Sequence, residues 1–315
     1  MKLGLLRWVV VVLCGLLLAG VAQAAGQPVE RQHRSAPVPL LWRVNGPEGA
    51  TLYLLGSFHL LRSDDYPLAP EVEAAFERSS RLLFELPSEQ VESPALAAQM
   101  LQAAQRRDGR KLREDLSAAQ WQALQEYAAQ HGLDLAAMDD VKVWFVALGI
   151  SLQEMAREGL DPELGLDRHF MQQARRAGKP TDGLETAGEQ IRLLDGMDLE
   201  EQRQMLAEAL DDARDGNRES RQLHDAWRAG DAHRLWTEMA AEMKQRYPAL
   251  YRNINVERND RWVPKLVQQL QPGQGTTLVV VGALHLLGED GVVEKLRARG
   301  YPVERICEAC EKPAN

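Results

Sequence analysis

The sequence is poor in cysteine and in apolar segments long enough to cross a membrane. Three of its 315 residues are cysteines. The one long apolar run covers residues 8–22, and it is shorter than the roughly 20 apolar residues that a spanning helix needs. No later segment is apolar enough to span a bilayer. We therefore expect no membrane span after the N-terminal region.

Surplus basic charge is absent as well. The 37 Lys and Arg residues are outnumbered by 46 Asp and Glu residues, which gives a formal net charge of −9. Proteins that bind nucleic acid or an anionic membrane surface commonly carry a basic surplus. We therefore expect no nucleic-acid partner, and we expect the substrate or ligand to be a peptide or a small molecule.

The N-terminus is typical of a signal peptide. Lys2 and Arg7 precede the apolar run, and Ala22-x-Ala24 is a pattern that signal peptidases accept. An uncleaved membrane anchor is the alternative, which the short run and the small residues at its end disfavour. We predict a signal peptide over residues 1–24, a flexible polar leader over 25–38, and a periplasmic or secreted protein that leaves the membrane after cleavage.

Two cysteines would remain in the mature chain, Cys307 and Cys310. In an oxidising compartment this pair is typical of a local disulfide. A zinc site would need two further ligands, and no second cysteine pair or nearby histidine supplies them. A thioredoxin-like redox centre normally opens a helix near the start of its fold. We predict a disulfide, with metal or redox use as the alternatives.

Strands and helices are indicated at both ends of the folded part. Residues 40–44 and 51–55 read as two strands of a hairpin, and the second strand leads into Gly56-x-x-His59. A helix over 71–79 and a short strand over 81–86 follow. The same order of strand, Gly-x-x-His, helix and strand returns near the C-terminus over residues 276–287, 291–299 and 303–306.

These patterns predict an α/β (α+β) fold in one domain over residues 39–315. Two strand–Gly-x-x-His–helix–strand units would lie side by side in a central mixed sheet, because each alone buries little. A helical insertion over about residues 94–270, with one short strand near 180–184, separates the units. We interpret its helices over 200–246 as core packing, and a lid over the sheet edge is the alternative.

His59 and His285 are the first candidate site residues. A glycine at the end of an apolar strand allows a sharp turn, which holds the histidine three positions later at the carboxyl edge of the sheet, where ligands bind. Imidazole is both a common metal ligand and a general base near neutral pH. A satisfied core histidine is the alternative at each position. We assign the other histidines of the folded part, His131, His169, His224 and His233, to the surface.

Glu85 is the third candidate, since a carboxylate in a central strand must be paired, bound to metal or shifted in pKa. Its alternative is a solvent-facing strand end. With His59 and His285 it would form a set suited to divalent zinc, manganese or cobalt. Arg258 lies in a helix predicted from about residue 255 and could face a developing oxyanion or a substrate carboxylate, with a solvated helix face as the alternative.

These motifs resemble the TraB/GumN family over essentially the whole mature chain. The matching segments, in chain order, are residues 41–44, 54–59, 65–68, 83–86, 183–186 with 189–190, 257–259 with 262, and 281–288. The wider group includes the TIKI proteins, described as metal-dependent proteases, and the related haem-binding ChaN and erythromycin-esterase folds. The resemblance implies an α/β domain with a metal-dependent hydrolytic site.

By position, the resemblance implies that His59, Glu85 and His285 hold the metal, with Glu185 as a further ligand. It implies a site-lining, catalytic role for Arg258 and Asn259. Our leading hypothesis is an exported metal-dependent hydrolase, peptidase-like in its chemistry. The alternatives are a periplasmic protein that binds haem or a peptide without turnover, and a metal-free, esterase-like hydrolase in which histidine is the base.

Overall fold

The computed structural model describes residues 35–311. The predicted signal peptide and most of the predicted leader lie outside these residues. Within residues 35–311, no helix combines the length and the apolarity needed to cross a bilayer.

Six strands form one mixed sheet in the order β4-β3-β5-β2-β1-β6. The strands are β1 Leu41–Asn45, β2 Thr51–Ser57, β3 Arg81–Phe84, β4 Thr181–Gly183, β5 Thr276–Gly282 and β6 Val303–Arg305. Strand β1 runs antiparallel to both of its neighbours, and the remaining pairs are parallel. The predicted mixed α/β fold is therefore confirmed.

Helices make up most of the described chain between and around these strands. They are α1 Pro70–Arg78, α2 Ser88–Val91, α3 Pro94–Ala104, α4 Ala118–His131, α5 Val143–Arg157, α6 Leu166–Ala177, α7 Ala187–Asp195, α8 Leu199–Arg214, α9 Arg218–Arg228, α10 Ala232–Leu235, α11 Glu242–Arg246, α12 Pro248–Tyr251, α13 Glu257–Gln269, α14 Val292–Arg297 and α15 Glu308–Glu311. Two π-helical segments, Trp236–Ala241 and Arg252–Val256, interrupt the second half of the insertion.

The two strands that end in Gly-x-x-His lie side by side. Strand β2 pairs with β5 in parallel, with Ser57 opposite Gly282. All residues of both strands except the first are buried, as their unbroken apolar runs predict for strands covered on both faces. Parallel neighbours end at the same edge of the sheet, so both histidine turns lie at that edge.

The repeat of the two units is incomplete, which corrects the expected element-by-element copy. Strand β3 of the first unit pairs in parallel with β5. Strand β6 of the second unit pairs in antiparallel fashion with β1. The difference arises because the β1–β2 hairpin occupies the place beside β2, which leaves β6 only the outer side of β1.

The helical insertion packs against the sheet and shares its core. Side chains from the predicted core stripe, among them Leu206, Leu210, Leu223 and Trp227, are buried in the same hydrophobic cluster as the strands. The short strand β4 within the insertion extends the sheet beside β3. The interpretation of this stripe as core packing is therefore confirmed.

The two C-terminal cysteines are joined. Cys307 and Cys310 form a disulfide with their Cα atoms 5.3 Å apart, a separation in the usual range for such bonds. The backbone at this end of the chain therefore accommodates the predicted local disulfide.

Candidate functional site

His59 follows directly from the end of β2 and is held by a carboxylate that the sequence did not mark. Its Nδ1 lies 2.6 Å from Oδ2 of Asp167, in the first turn of α6. Ser57 Oγ donates to the same oxygen at 2.7 Å. Since a carboxylate only accepts, His59 carries a proton on Nδ1. The neutral imidazole therefore presents the lone pair of Nε2.

The turn that carries His59 is clamped by the segment before α6. Leu166 donates its backbone N–H to the carbonyl of Phe58 at 3.2 Å. A Cβ on Gly165 would lie 2.0 Å from the carbonyl oxygen of His59, so only glycine permits this close approach. The clamp brings Asp167 within reach of the imidazole.

Glu85 lies one residue beyond the end of β3 and is buried, so the solvent-facing alternative is wrong. Its Oε1 accepts the backbone N–H of Gly282 at 2.8 Å. Its Oε2 accepts from Arg258 Nη2 at 2.6 Å and from Gln190 Nε2 at 3.1 Å. Burial raises the pKa of Glu85, and the charge of Arg258, together with that of His59 when it is protonated, offsets only part of this effect.

Arg258 lies in the first turn of α13 and is 0% exposed, so the solvated helix face is wrong. Its Nε donates to both carboxylate oxygens of Glu185, and Nη2 bonds Glu185 and Glu85. Its Nη1 donates to the Ile254 carbonyl at 3.1 Å and to His285 Nε2 at 2.9 Å. Because these bonds use all five N–H groups of the guanidinium, Arg258 supplies a fixed positive charge and no free donor.

His285 is completely buried behind this cation. Its Nδ1 donates to Oδ1 of Asn259 at 2.7 Å, and the amide of Asn259 is oriented by its own bond to the Asp290 carbonyl at 2.8 Å. Nε2 of His285 must then accept the N–H of Arg258. Burial, followed by the charges of Arg258 and His59, holds the pKa of His285 well below its ordinary value.

This lowered pKa has a consequence for stability. The unfolded chain binds a proton at His285 below about pH 6.5 whereas the folded chain does not, so acidification favours unfolding. We expect His285 to reduce the free energy of unfolding by about 1.4 kcal/mol for each pH unit below 6.5. Urea denaturation at pH 6.5 and 5.5 measures the slope. His285→Gln, which can still accept from Arg258, should flatten it, and equal slopes would contradict the assignment.

His59, Glu85 and His285 lie together, as their positions at the sheet edge predicted. Nε2 of His59 is 3.9 Å from Glu85 Oε1, and Nε2 of His285 is 4.0 Å from the same oxygen. A Cβ on Gly282 would lie 3.1 Å from Glu85 Oε1 and 3.3 Å from His59 Nε2. The missing side chain of Gly282 therefore allows the carboxylate and the imidazole to pack close to its backbone.

Nε2 of His59 has no hydrogen-bond partner, although His59 is only 7% exposed. Burial acts to lower the pKa of His59, but the carboxylates of Asp167 and Glu85 outweigh it, so the pKa lies above its ordinary value. An unpaired buried polar atom costs about 1–3 kcal/mol. That cost is avoided when a ligand or water bonds the nitrogen.

The predicted divalent ion was tested against this donor set. In residues 35–311, no group of three or more His, Cys, Asp or Glu side chains is arranged to hold a metal ion. Two of the predicted ligand atoms already accept hydrogen bonds from the protein. Nε2 of His285 accepts from Arg258, and Oε1 of Glu85 accepts from the Gly282 N–H. As they stand, the residues do not fit a three-ligand metal centre, and the ion stays a prediction.

The sequence did not reveal the role of Asp167, and three of the four histidines assigned to the surface are buried or half-buried. Asp167 lies on a helix of the insertion, where no local pattern separates it from ordinary polar residues, and Gln190 lies in a segment that carries the resemblance but had no predicted role. His224, assigned to the surface, is 0% exposed and bonds Asp65, because the buried face of α9, which also carries Trp227, packs against the histidine turn. His233 is exposed as predicted.

Two other histidines assigned to the surface are half-buried. His169 packs against Tyr66 and Phe170, and His131 packs against Tyr127. A separate cavity of about 730 Å³ lies among α3, α5 and α8 and is lined by none of the residues around His59. The chemistry-bearing side chains are therefore in a nearly closed position rather than in the open cavity.

The fold and these paired histidine turns place the chain in a known family. Residues 40–305 match the model of the TraB/PrgY/gumN family, and the chain belongs to that family. Its relatives include the uncharacterized protein YbaP of Escherichia coli (strain K12), 25% identical over 252 residues, or 80% of this chain and 89% of that protein. YbaP of Shigella flexneri is 26% identical over 246 residues, or 78% and 87% of the two chains. No solved structure matches the chain.

Proposed function

We propose that this chain is an exported hydrolase in which His59, oriented by Asp167, activates a water molecule beside Glu85. The unpartnered Nε2 of the buried His59 carries the proposal, because it is a base whose lone pair accepts no hydrogen bond from the protein. The sequence features of a signal peptide support the export of the protein.

The Asp167–His59 pair has the geometry of a base and its orienting group. A general base needs one nitrogen held in the right tautomer and the other free to accept a proton. Asp167 meets the first condition, because its Oδ2 lies 2.6 Å from Nδ1 of His59. The raised pKa of His59 strengthens the base, and the imidazole is neutral and active at pH values above that pKa. Activity should therefore rise with pH through a midpoint above 6.5.

A carbonyl compound, and a peptide bond in particular, is the substrate class that we propose. Attack by water on a carbonyl creates an oxyanion, which a fixed positive charge stabilises in a site shielded from water. Arg258 supplies a positive charge that is paired with Glu85 and Glu185. It can therefore stabilise an oxyanion when one of these carboxylates is protonated, a state that the raised pKa of Glu85 favours. Among the residues around His59, Asp167 has a partly exposed side chain, at 14%, so solvent reaches the site on that side.

A metal-dependent form of this hydrolase is the second candidate. Glu85 and Glu185 pair with the Arg258 guanidinium, and Asp167 lies against His59, so ionised carboxylates leave an excess of negative charge when the histidines are neutral. Both imidazoles also donate Nδ1–H to an oxygen, as metal-binding histidines do. Zinc, manganese or cobalt would require Arg258 to leave His285 Nε2.

The test is turnover by the purified mature chain of p-nitrophenyl esters and of an internally quenched peptide library, with and without EDTA. Cleavage that EDTA does not alter supports His59 as the base. Cleavage that EDTA abolishes and manganese, cobalt or zinc restores supports the metal-dependent form. Tight binding of haem or a peptide without any turnover would contradict the proposal in favour of a binding protein.

Gly282→Ala tests the close packing of Gly282 against Glu85 and His59. The backbone of Gly282 has φ −49° and ψ 132°, which alanine adopts without strain. The added methyl would contact Glu85 Oε1 and His59 Nε2, so we expect the rate of hydrolysis to fall by about 100-fold, as for a 1 Å misplacement of reacting groups. Gly149→Ala, in α5 with nothing near its Cβ, is the control. Full activity of Gly282→Ala would place the water elsewhere.

A further inference from the structure

A second buried histidine lies behind the turn that carries His59. His224 of α9 and Asp65 are both 0% exposed, and His224 Nε2 lies 2.7 Å from Asp65 Oδ2. Asp65 also accepts from the backbone of Arg62 at 2.8 Å and from Arg228 at 2.5 Å. Burial acts to raise the pKa of Asp65, but these hydrogen bonds outweigh it and lower the pKa. The proposed reaction uses none of these groups.

This buried pair contacts the histidine turn at two points. The ring of His224 meets the ring of Phe58 edge to face, with centroids 5.8 Å apart. Trp227, one helical turn further along α9, lies 5.9 Å from Phe58 and donates its indole N–H to the carbonyl of Gly56 at 3.1 Å. Gly56 begins the Gly-x-x-His motif, and Phe58 directly precedes His59.

The turn is thus held from two sides by different parts of the insertion. On one side, α6 holds the imidazole itself through Asp167 and the Phe58 carbonyl through the backbone N–H of Leu166. On the other side, α9 holds the backbone and the preceding side chain through Trp227 and His224. A buried hydrogen-bonded pair that is anchored by two further hydrogen bonds, from Arg62 and Arg228, has little freedom to move, so it can fix the rings packed on it.

We propose that His224 and Trp227, anchored by Asp65, are positioning residues that set the direction in which His59 Nε2 points. The proposal rests on the proposed function in treating His59 as the reacting group. Since the residues contact Phe58 and Gly56 rather than the imidazole, their effect on His59 is indirect.

The test is ¹⁵N NMR of protein labelled at histidine, with the His59 signals assigned through His59→Gln. His224→Phe keeps a ring but loses the bond to Asp65, and Trp227→Phe keeps the packing but loses the bond to Gly56. We expect both to shift the His59 titration midpoint by about 0.5 pH unit or more, since the carboxylates that set it act over short distances. His224→Gln, which can still donate to Asp65, should restore most of the wild-type value.

The exposed His233→Gln on the same insertion is the control and should leave the His59 signals unchanged. If His224→Phe does not fold, the His59 titration midpoint in Trp227→Phe decides whether the inference holds. Folded variants with His59 at its wild-type midpoint would overturn the inference. The readout does not depend on turnover. A shifted midpoint therefore supports this inference even if the chain has no hydrolytic activity, and the missing activity counts only against the proposed function.

Discussion

Asp167→Asn is expected to lower kcat for hydrolysis by about 10³- to 10⁴-fold. The amide of asparagine can donate to Nδ1 of His59, which would turn the imidazole into the tautomer whose Nε2 carries a proton and cannot act as a base. The substitution also removes the negative charge that raises the pKa of His59. Steady-state kinetics measure the loss, and the pH midpoint of the remaining activity should move downward.

The matched control is Asp225→Asn, an exposed aspartate on α9, which should retain the wild-type rate. Circular dichroism and thermal unfolding establish that both variants fold. A folded Asp167→Asn variant with kcat within tenfold of wild type would show that the tautomer of His59 does not limit the reaction.

Arg258→Met is expected to destabilise the fold by about 3–5 kcal/mol, the usual cost of removing one partner from a buried ion pair. Methionine retains much of the volume, but Glu85 and Glu185 would lose their only guanidinium while remaining buried. Urea denaturation gives the change in the free energy of unfolding.

Two further variants separate the effect of charge from that of packing. Arg261→Met, on an exposed position of the same helix, should change stability by less than about 0.5 kcal/mol. The double variant Arg258→Met with Glu185→Gln should regain part of the lost free energy of unfolding, because a neutral amide replaces one of the two carboxylates that Arg258→Met leaves unpaired. A loss of the same size in the single and double variants would mean that packing, and not charge, determines the stability at this position.

The paired strands could be predicted because the information is local. Each strand is an unbroken apolar run that ends in Gly-x-x-His, and a run of that kind indicates a central strand covered on both faces. The parallel pairing of β2 with β5 followed from the repeated order of elements. The place of β6 did not, because it depends on the hairpin partner that β2 already has, which no repeat in the sequence reveals.

The site was predictable in part for the same reason. His59, His285 and Glu85 mark strand ends, so topology brings them to one edge. Asp167 and His224 belong to amphipathic helices, where a polar residue reads as solvent-facing unless the docking of the helix is known. The environment of Arg258 was likewise hidden, since three of its four partners, Glu85, Glu185 and His285, come from separate stretches of chain, and their convergence depends on tertiary packing.

Glu85 and the Gly282 N–H that it accepts are 197 residues apart in the sequence, and Glu85 and Arg258 are 173 apart. Contacts across such distances form late in folding, since a long loop must close first. Until β5 pairs with β2, the carboxylates and the guanidinium therefore remain hydrated and separate. A chain whose C-terminal unit has not yet been synthesised therefore lacks the groups that orient Glu85, so the cluster of charges around His59 exists only in the completed fold.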